Sequence, residues 1–193
     1  MHPADDILVK QSGKGDLDAF EQLVKRYQNK IYNLACRFLG NRVDAYDLTQ
    51  ETFIRLYRSL PRFRGESSLM TWLYRITVNV CRDELRRQKR RNIVFAGFVE
   101  DKKADTENNN VYRNYLHAGV SSPEEILERK EFCSTVQLCL HSLPEKYRLI
   151  LVMREIRGMS YKEIAEILQC PRGTVKSRLY SARQVFRKRF KWE

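Results

Sequence analysis

Apolar residues of the N-terminal half fall at Phe20, Leu23, Val24, Tyr27, Ile31, Leu34, Ala35 and Phe38, the three-and-four spacing that lays one stripe along a helix. Gly40-Asn41 ends this pattern, and Asn41 with Asp44 behind it marks the start of a second helix that runs to about Leu60, before Pro61. A third helix opens at Ser67 or Ser68, turns Leu69, Leu73, Ile76 and Val80 to one side, and continues into an arginine-rich block. Three helices without a convincing alternating stretch predict an all-α N-terminal half.

The C-terminal half repeats this grammar in shorter pieces. Phe132, Val136, Cys139, Leu140 and Leu143 give one amphipathic helix, and Pro144 begins another that ends at Gly158. Ser160 with Glu163 three residues later is a capping box, so a short helix starts there and buries Ile164, Ala165 and Leu168. Gln169-Cys170-Pro171 breaks it, and a longer helix follows with Val175 and Leu179 turned inward. The expectation is a four-helix domain with a helix-turn-helix over Ser160 to Arg183.

Between the halves the pattern fails. Asp101 to Ser122 is rich in Asn, Asp, Glu and Lys, has few periodic apolar residues and ends at Ser121-Ser122-Pro123, which reads as a flexible linker. The expected layout is therefore an N-terminal domain over 1–95, a linker over 96–127 and a C-terminal domain over 128–193. A chain of 193 residues is long enough for two small helical domains of this kind.

Charge adds a partner class to this layout. Lys and Arg number 36 against 24 Asp and Glu, a net charge of +12, which favours a polyanionic partner. The excess is concentrated: Arg82 to Arg91 holds six basic and two acidic residues, and Arg172 to Lys191 holds eight basic and no acidic ones. The spacer from Glu100 to Glu131 is acidic instead, with eight acidic residues against five basic. The longest apolar run, Leu149 to Met153, is far below the roughly 20 residues of a membrane span. Met1 to Lys10 lacks a signal-like apolar block, so a cytoplasmic protein without direct membrane insertion is expected.

Metal and enzyme chemistry find little support. The five cysteines, at 36, 81, 133, 139 and 170, match neither a disulfide framework nor paired zinc knuckles and read as reduced thiols. Cys139 lies about 240° around a helix from Cys133, which argues against a metal held by Cys133, Cys139 and His141. Glu66 and Asp83 are too isolated to form a nuclease carboxylate cluster. No catalytic residue, metal, cofactor or small-molecule substrate is expected.

Three segments carry candidate DNA chemistry. In the last helix, Arg172, Gly173, Thr174, Lys176, Ser177 and Arg178 lie near the end where a recognition helix meets base edges, and Arg183 follows one turn on. Arginine can bond two acceptors of guanine at once, while Lys, Ser and Thr serve both phosphate and base. On the third helix, Arg75, Asn79, Arg82 and Arg86 form one stripe, an amide set among guanidinium groups. Before it, the loop Phe63, Arg64, Gly65, Glu66, Ser67 and Ser68 combines a ring, a cation, a flexible glycine and hydroxyls, a set able to clasp an unstacked base.

Asp47-Leu48-Thr49-Gln50-Glu51-Thr52-Phe53, Phe63-Arg64-Gly65 with Thr71-Trp72-Leu73-Tyr74-Arg75-Ile76 and Asn79, then Leu143-Pro144, and finally Gly173-Thr174-Val175-Lys176-Ser177-Arg178-Leu179 follow one another in order. In this the chain resembles the extracytoplasmic-function sigma factors of bacterial RNA polymerase over nearly its whole length apart from the linker. The resemblance implies that Asp47, Gln50, Glu51 and Ile54 face the clamp helices of the largest polymerase subunit. It implies that Phe63 to Ser68 captures a flipped base of the minus-ten element, with Arg75, Asn79, Arg82 and Arg86 along that segment. It implies that Arg172 to Arg178 reads the minus-thirty-five element as duplex, and that the linker threads toward the RNA exit path. An anti-sigma protein is the further partner implied. Two positions depart from the family pattern: Tyr46 where many members carry an acid, and Ser181 where Arg is common. The rival from another class is an autonomous helix-turn-helix regulator, whose recognition helix would look similar.

Overall fold

The structure, a computed structural model, describes residues 3–95 and 122–190, and among these every regular element is helical. Eight α-helices form two units. The N-terminal unit contains α1 (Pro3–Gly13), α2 (Leu17–Leu39), α3 (Arg42–Ser59), a 3-10 turn (Leu60–Arg62) and α4 (Leu69–Phe95). The C-terminal unit contains α5 (Pro123–Ser142), α6 (Glu145–Leu151) running into a π-helical turn (Val152–Ile156), α7 (Tyr161–Leu168) and α8 (Arg172–Arg189). The expected all-α, two-unit architecture is therefore present. Most of the expected linker, 96–121, lies outside the described residues, whereas 123–127, placed in the linker by composition, belongs to the first turns of α5.

Local chemistry sets the helix ends. Asp16 caps α2 by accepting from the Ala19 amide at 3.0 Å, and Gly40 closes it with φ +76°, its own N–H reaching the Cys36 carbonyl at 2.9 Å. Asn41 then caps α3 through the Val43 amide at 2.9 Å. Leu23, Ile31, Leu34 and Phe38 of α2 are buried as their spacing predicts, against Leu56 of α3 and Leu69 and Leu73 of α4. Each such side chain contributes roughly 1.5–3 kcal/mol through removal from water.

Two elements differ from expectation. A fourth N-terminal helix, α1, packs on α2, and its buried positions Asp5, Leu8, Val9 and Ser12 include two polar residues, which breaks the apolar period. In α7 the fully packed positions are Ile164 and Ile167, while Ala165 and Leu168 stay half-buried, because the helix inclines its Ile167 side toward the core.

The units are in contact. α7 lies against α4, and α5 meets the end of α2, so one apolar core continues from α2 and α4 into Leu149, Ile150, Met153 and Ile164.

Candidate nucleic-acid and polymerase interfaces

The loop after the 3-10 turn builds an open cleft of about 550 Å³ lined by Arg62, Phe63, Arg64, Glu66, Ser67, Thr71, Trp72, Arg75 and, from α7, Glu166. The Phe63 and Trp72 rings stack with centroids 4.6 Å apart and planes 26° from parallel. Trp72, half-buried, thus holds Phe63 in place and supplies a broad π-surface beside three guanidinium groups. Gly65 has φ +72°, a left-handed conformation that lets the loop turn back onto α4. Ser68 serves the helix: its Oγ accepts from the Thr71 amide at 3.0 Å and pairs with the Thr71 hydroxyl at 2.8 Å. Arg62 was not singled out by the sequence; its place next to the cation-bearing Phe63-Arg64 pair is the signal that could have found it.

Along α4 the predicted stripe is present with unequal exposure. Asn79 and Arg86 are exposed, Arg75 and Arg82 half-buried. Arg82 is the one tied across the molecule, its Nε donating to Glu145 at 3.1 Å.

α3 turns Asp47, Gln50 and Ile54 to solvent, with Glu51 half-buried beside them. Arg55 fixes Glu51, donating to it at 2.7 Å and to Asp83 of α4 at 3.3 Å, so this carboxylate is held in one orientation. Val43 and Tyr46, 69% and 59% exposed, extend the same face with uncovered apolar surface. Val43 was missed because a single apolar residue at a helix start carries no periodicity.

In the C-terminal unit the capping box forms as its spacing predicts. Ser160 Oγ accepts from the Glu163 amide at 3.2 Å, and Glu163 accepts from the Ser160 amide at 2.8 Å. The bond from the Ser160 amide first, and then the Ser160 hydroxyl, hold the Glu163 carboxyl below the usual carboxylate range. Gln169, at φ +50°, makes the sharp turn into α8. There Val175, Leu179 and Ala182 face the core, Arg172, Gly173, Lys176 and Ser177 are exposed, and Thr174 and Arg178 are half-buried.

Arg183 is engaged within its own unit, forking onto Glu155 through Nε at 3.0 Å and Nη2 at 2.6 Å. Tyr180, 66% exposed and one turn beyond Lys176, is an aromatic group that the sequence reading passed over. Its i+4 relation to Lys176 on the basic face was the available signal.

The candidate thiol-imidazole cluster is not assembled. Cys139 is buried with its thiol toward the Phe186 carbonyl at 3.8 Å, and the His141 ring sits between Gln137 and Arg148. Among the described residues no group of three His, Cys, Asp or Glu side chains is placed to hold a metal ion. No helix among them is long and apolar enough to cross a membrane.

Two family models match the chain: Sigma-70 region 2 over residues 23–91 and Sigma-70, region 4, over residues 134–185. The RNA polymerase sigma-H factor of Pseudomonas aeruginosa is 38% identical over 95% of this chain and 92% of its own length. The ECF RNA polymerase sigma-E factor of Haemophilus influenzae is 41% identical over 94% of this chain and 92% of its own. Among solved structures, CnrH in complex with the cytosolic domain of CnrY is similar with a TM-score of 0.63, at 26% identity and 96% coverage of both chains. The sigma factor RpoE of Bartonella quintana, in complex with the anti-sigma factor NepR, shares the fold at a TM-score of 0.65 and 21% identity, covering 88% of this chain and 94% of that one. With region 2 matching the loop, α3 and α4, region 4 matching the helix-turn-helix, and relatives matched end to end, the chain belongs to the extracytoplasmic-function sigma factors of bacterial RNA polymerase.

Proposed function

We propose that this sigma factor divides its work between its units as the chemistry of their surfaces directs. α8 enters the major groove of the minus-thirty-five duplex with Arg172, Gly173, Thr174, Lys176, Ser177 and Arg178 at its leading end and Arg183 farther along the helix. The Phe63 to Ser68 loop takes an unstacked minus-ten base, and Arg75, Asn79, Arg82 and Arg86 follow the same strand. Asp47, Gln50, Glu51 and Ile54 dock on the polymerase clamp helices, with Val43 and Tyr46 widening that contact. The protein adds no catalytic step of its own and acts in the cytoplasm, where the polymerase is. Functional boundaries follow the three spans read from the sequence, 1–95, 96–127 and 128–193, with 123–127 serving as the helical lead into the last.

The observation that carries this reading is the pairing of two features on separate units. One is the arginine-rimmed cleft with its stacked Phe63 and Trp72; the other is an α8 whose exposed leading face is basic and free of acids.

Run-off transcription with purified core polymerase on a genomic promoter library tests it. The protein should direct initiation at a defined promoter set only with core enzyme. Lys176→Ala should weaken use of the upstream element by about 1–3 kcal/mol if the lost contact is to a base. Asn79→Ala should impair opening, read by permanganate footprinting, while polymerase binding is kept. A normal bubble with Asn79→Ala, or sequence-specific, tight duplex binding by the isolated chain, would contradict the division of labour and favour an autonomous regulator.

Both solved structures cited are complexes, CnrH with the cytosolic domain of CnrY and the sigma factor RpoE with the anti-sigma factor NepR. An anti-sigma protein is accordingly proposed as a partner here, in competition with polymerase for the α3 face.

A further inference from the structure

The surface assigned to the minus-ten strand lies against the C-terminal unit, and one of its groups, Arg82, already has a partner there. Arg82 donates to Glu145 at the start of α6. Glu166 of α7 lines the cleft that holds Arg62, Arg64 and Arg75. Arg157 donates to the Tyr74 hydroxyl of α4 and lies 5.5 Å over that ring.

A staple at the end of α2 completes this contact. Arg148 reaches the Phe38 carbonyl at 2.7 Å while holding the His141 and Leu143 carbonyls at 2.9 and 3.3 Å. The His141 ring fits where Gly40 has no side chain: a Cβ there would lie 2.6 Å from it.

Size makes this arrangement incompatible with simultaneous reading of both promoter elements. Elements centred ten and thirty-five base pairs upstream are separated by about 85 Å of duplex, at about 3.4 Å per step. A compact chain of this length has a radius of gyration of about 16 Å and is about 40 Å across. The units must part before both can bind.

We propose that the chain masks its own minus-ten surface. In the closed form Glu145 and Glu166 stand where DNA phosphates would stand, and the Arg148 staple holds them there. The proposal rests on the minus-ten assignment made above. Apparent affinity for single-stranded DNA is then reduced by the fraction of chains that are open, so a tenfold preference for the closed form weakens binding about tenfold.

The full chain can be tested with a fluorescein-labelled, random-sequence single-stranded 12-mer read by anisotropy, alongside small-angle scattering. Glu145→Gln with Glu166→Gln should enlarge the radius of gyration by several ångströms and tighten binding about three- to tenfold. Glu21→Gln with Glu128→Gln, which removes the same charge elsewhere, should do neither. Arg148→Ala removes a cation, so electrostatics alone would weaken its binding; release of the mask should tighten it. Adding Arg82→Ala to the double-glutamine variant should remove most of the gain. Dimensions and affinity equal to those of the matched-charge control would overturn the closed form. Units that part without a gain in affinity would instead overturn the minus-ten assignment.

Discussion

His141 shows how one buried side chain couples folding to pH. Burial first, and then the Arg148 cation, push its pKa from 6.5 down to about 4. The groups facing it are Gln137, whose amide lies 2.6 Å from Nε2, and Arg148, 3.1 Å from Nδ1; Glu145 offsets part of the Arg148 charge. Above pH 7 the ring is neutral whether the chain is folded or unfolded, and contributes no difference. Below pH 6.5 the unfolded chain takes up a proton that the folded state refuses, so the folded state loses stability as pH falls toward 4. At pH 5.5 the loss is about 1 kcal/mol. Melting curves at pH 7.5 and 5.5 should show a lower Tm at the acid value, and His141→Asn should shrink the difference between the two. An equal drop in that variant would assign the acid sensitivity to other groups.

At the scale of elements, α1 depends on a polar contact rather than on an apolar stripe. Asp5, buried, accepts from the Tyr27 hydroxyl at 2.5 Å and from Arg26, joining α1 to α2. Burial and this hydrogen bond push the Tyr27 hydroxyl above its ordinary pKa, so it remains a donor throughout the accessible range. Asp5→Ala leaves a buried hydroxyl and a guanidinium without their acceptor and should cost about 3 kcal/mol, read as a lower midpoint in urea. α8 and the polymerase-facing side of α3 lie elsewhere, so the folded variant should still bind core enzyme. Retained stability with Asp5→Ala would show that α1 is held by Leu8 and Val9 alone.

For the whole molecule, access to α3 is the decisive variable. The closed arrangement leaves Asp47, Gln50 and Ile54 exposed, so on the assignment proposed for them polymerase would dock on the N-terminal unit before the units part. An anti-sigma protein that buries this face competes with polymerase directly, and its inhibition follows mass action. Ile54→Asp should therefore weaken core polymerase binding and capture of the cytosolic part of an anti-sigma partner together, by tenfold or more each, in pull-downs from the native host. Loss of one interaction with the other intact would place the two partners on different surfaces.

The sequence by itself determined whatever depends on neighbours a few residues apart. The stripe from Phe20 to Phe38, the Gly40 stop, the Asn41 cap and the Ser160–Glu163 capping box all form as read, because helix period and caps are local chemistry. The motif order from Asp47 to Leu179 was enough to identify the family. What only the tertiary structure decided are contacts between residues far apart in the chain. Asp5 meets Tyr27 and Arg26 of the next helix, and Arg183 meets Glu155, only once the helices are packed. Arg82 and Glu145, 63 positions apart, meet because α6 is set against the end of α4's neighbour α2. No periodicity encodes such pairings: they follow from how one apolar core runs across the boundary between the units, and that boundary placed acids of one unit on the basic face of the other.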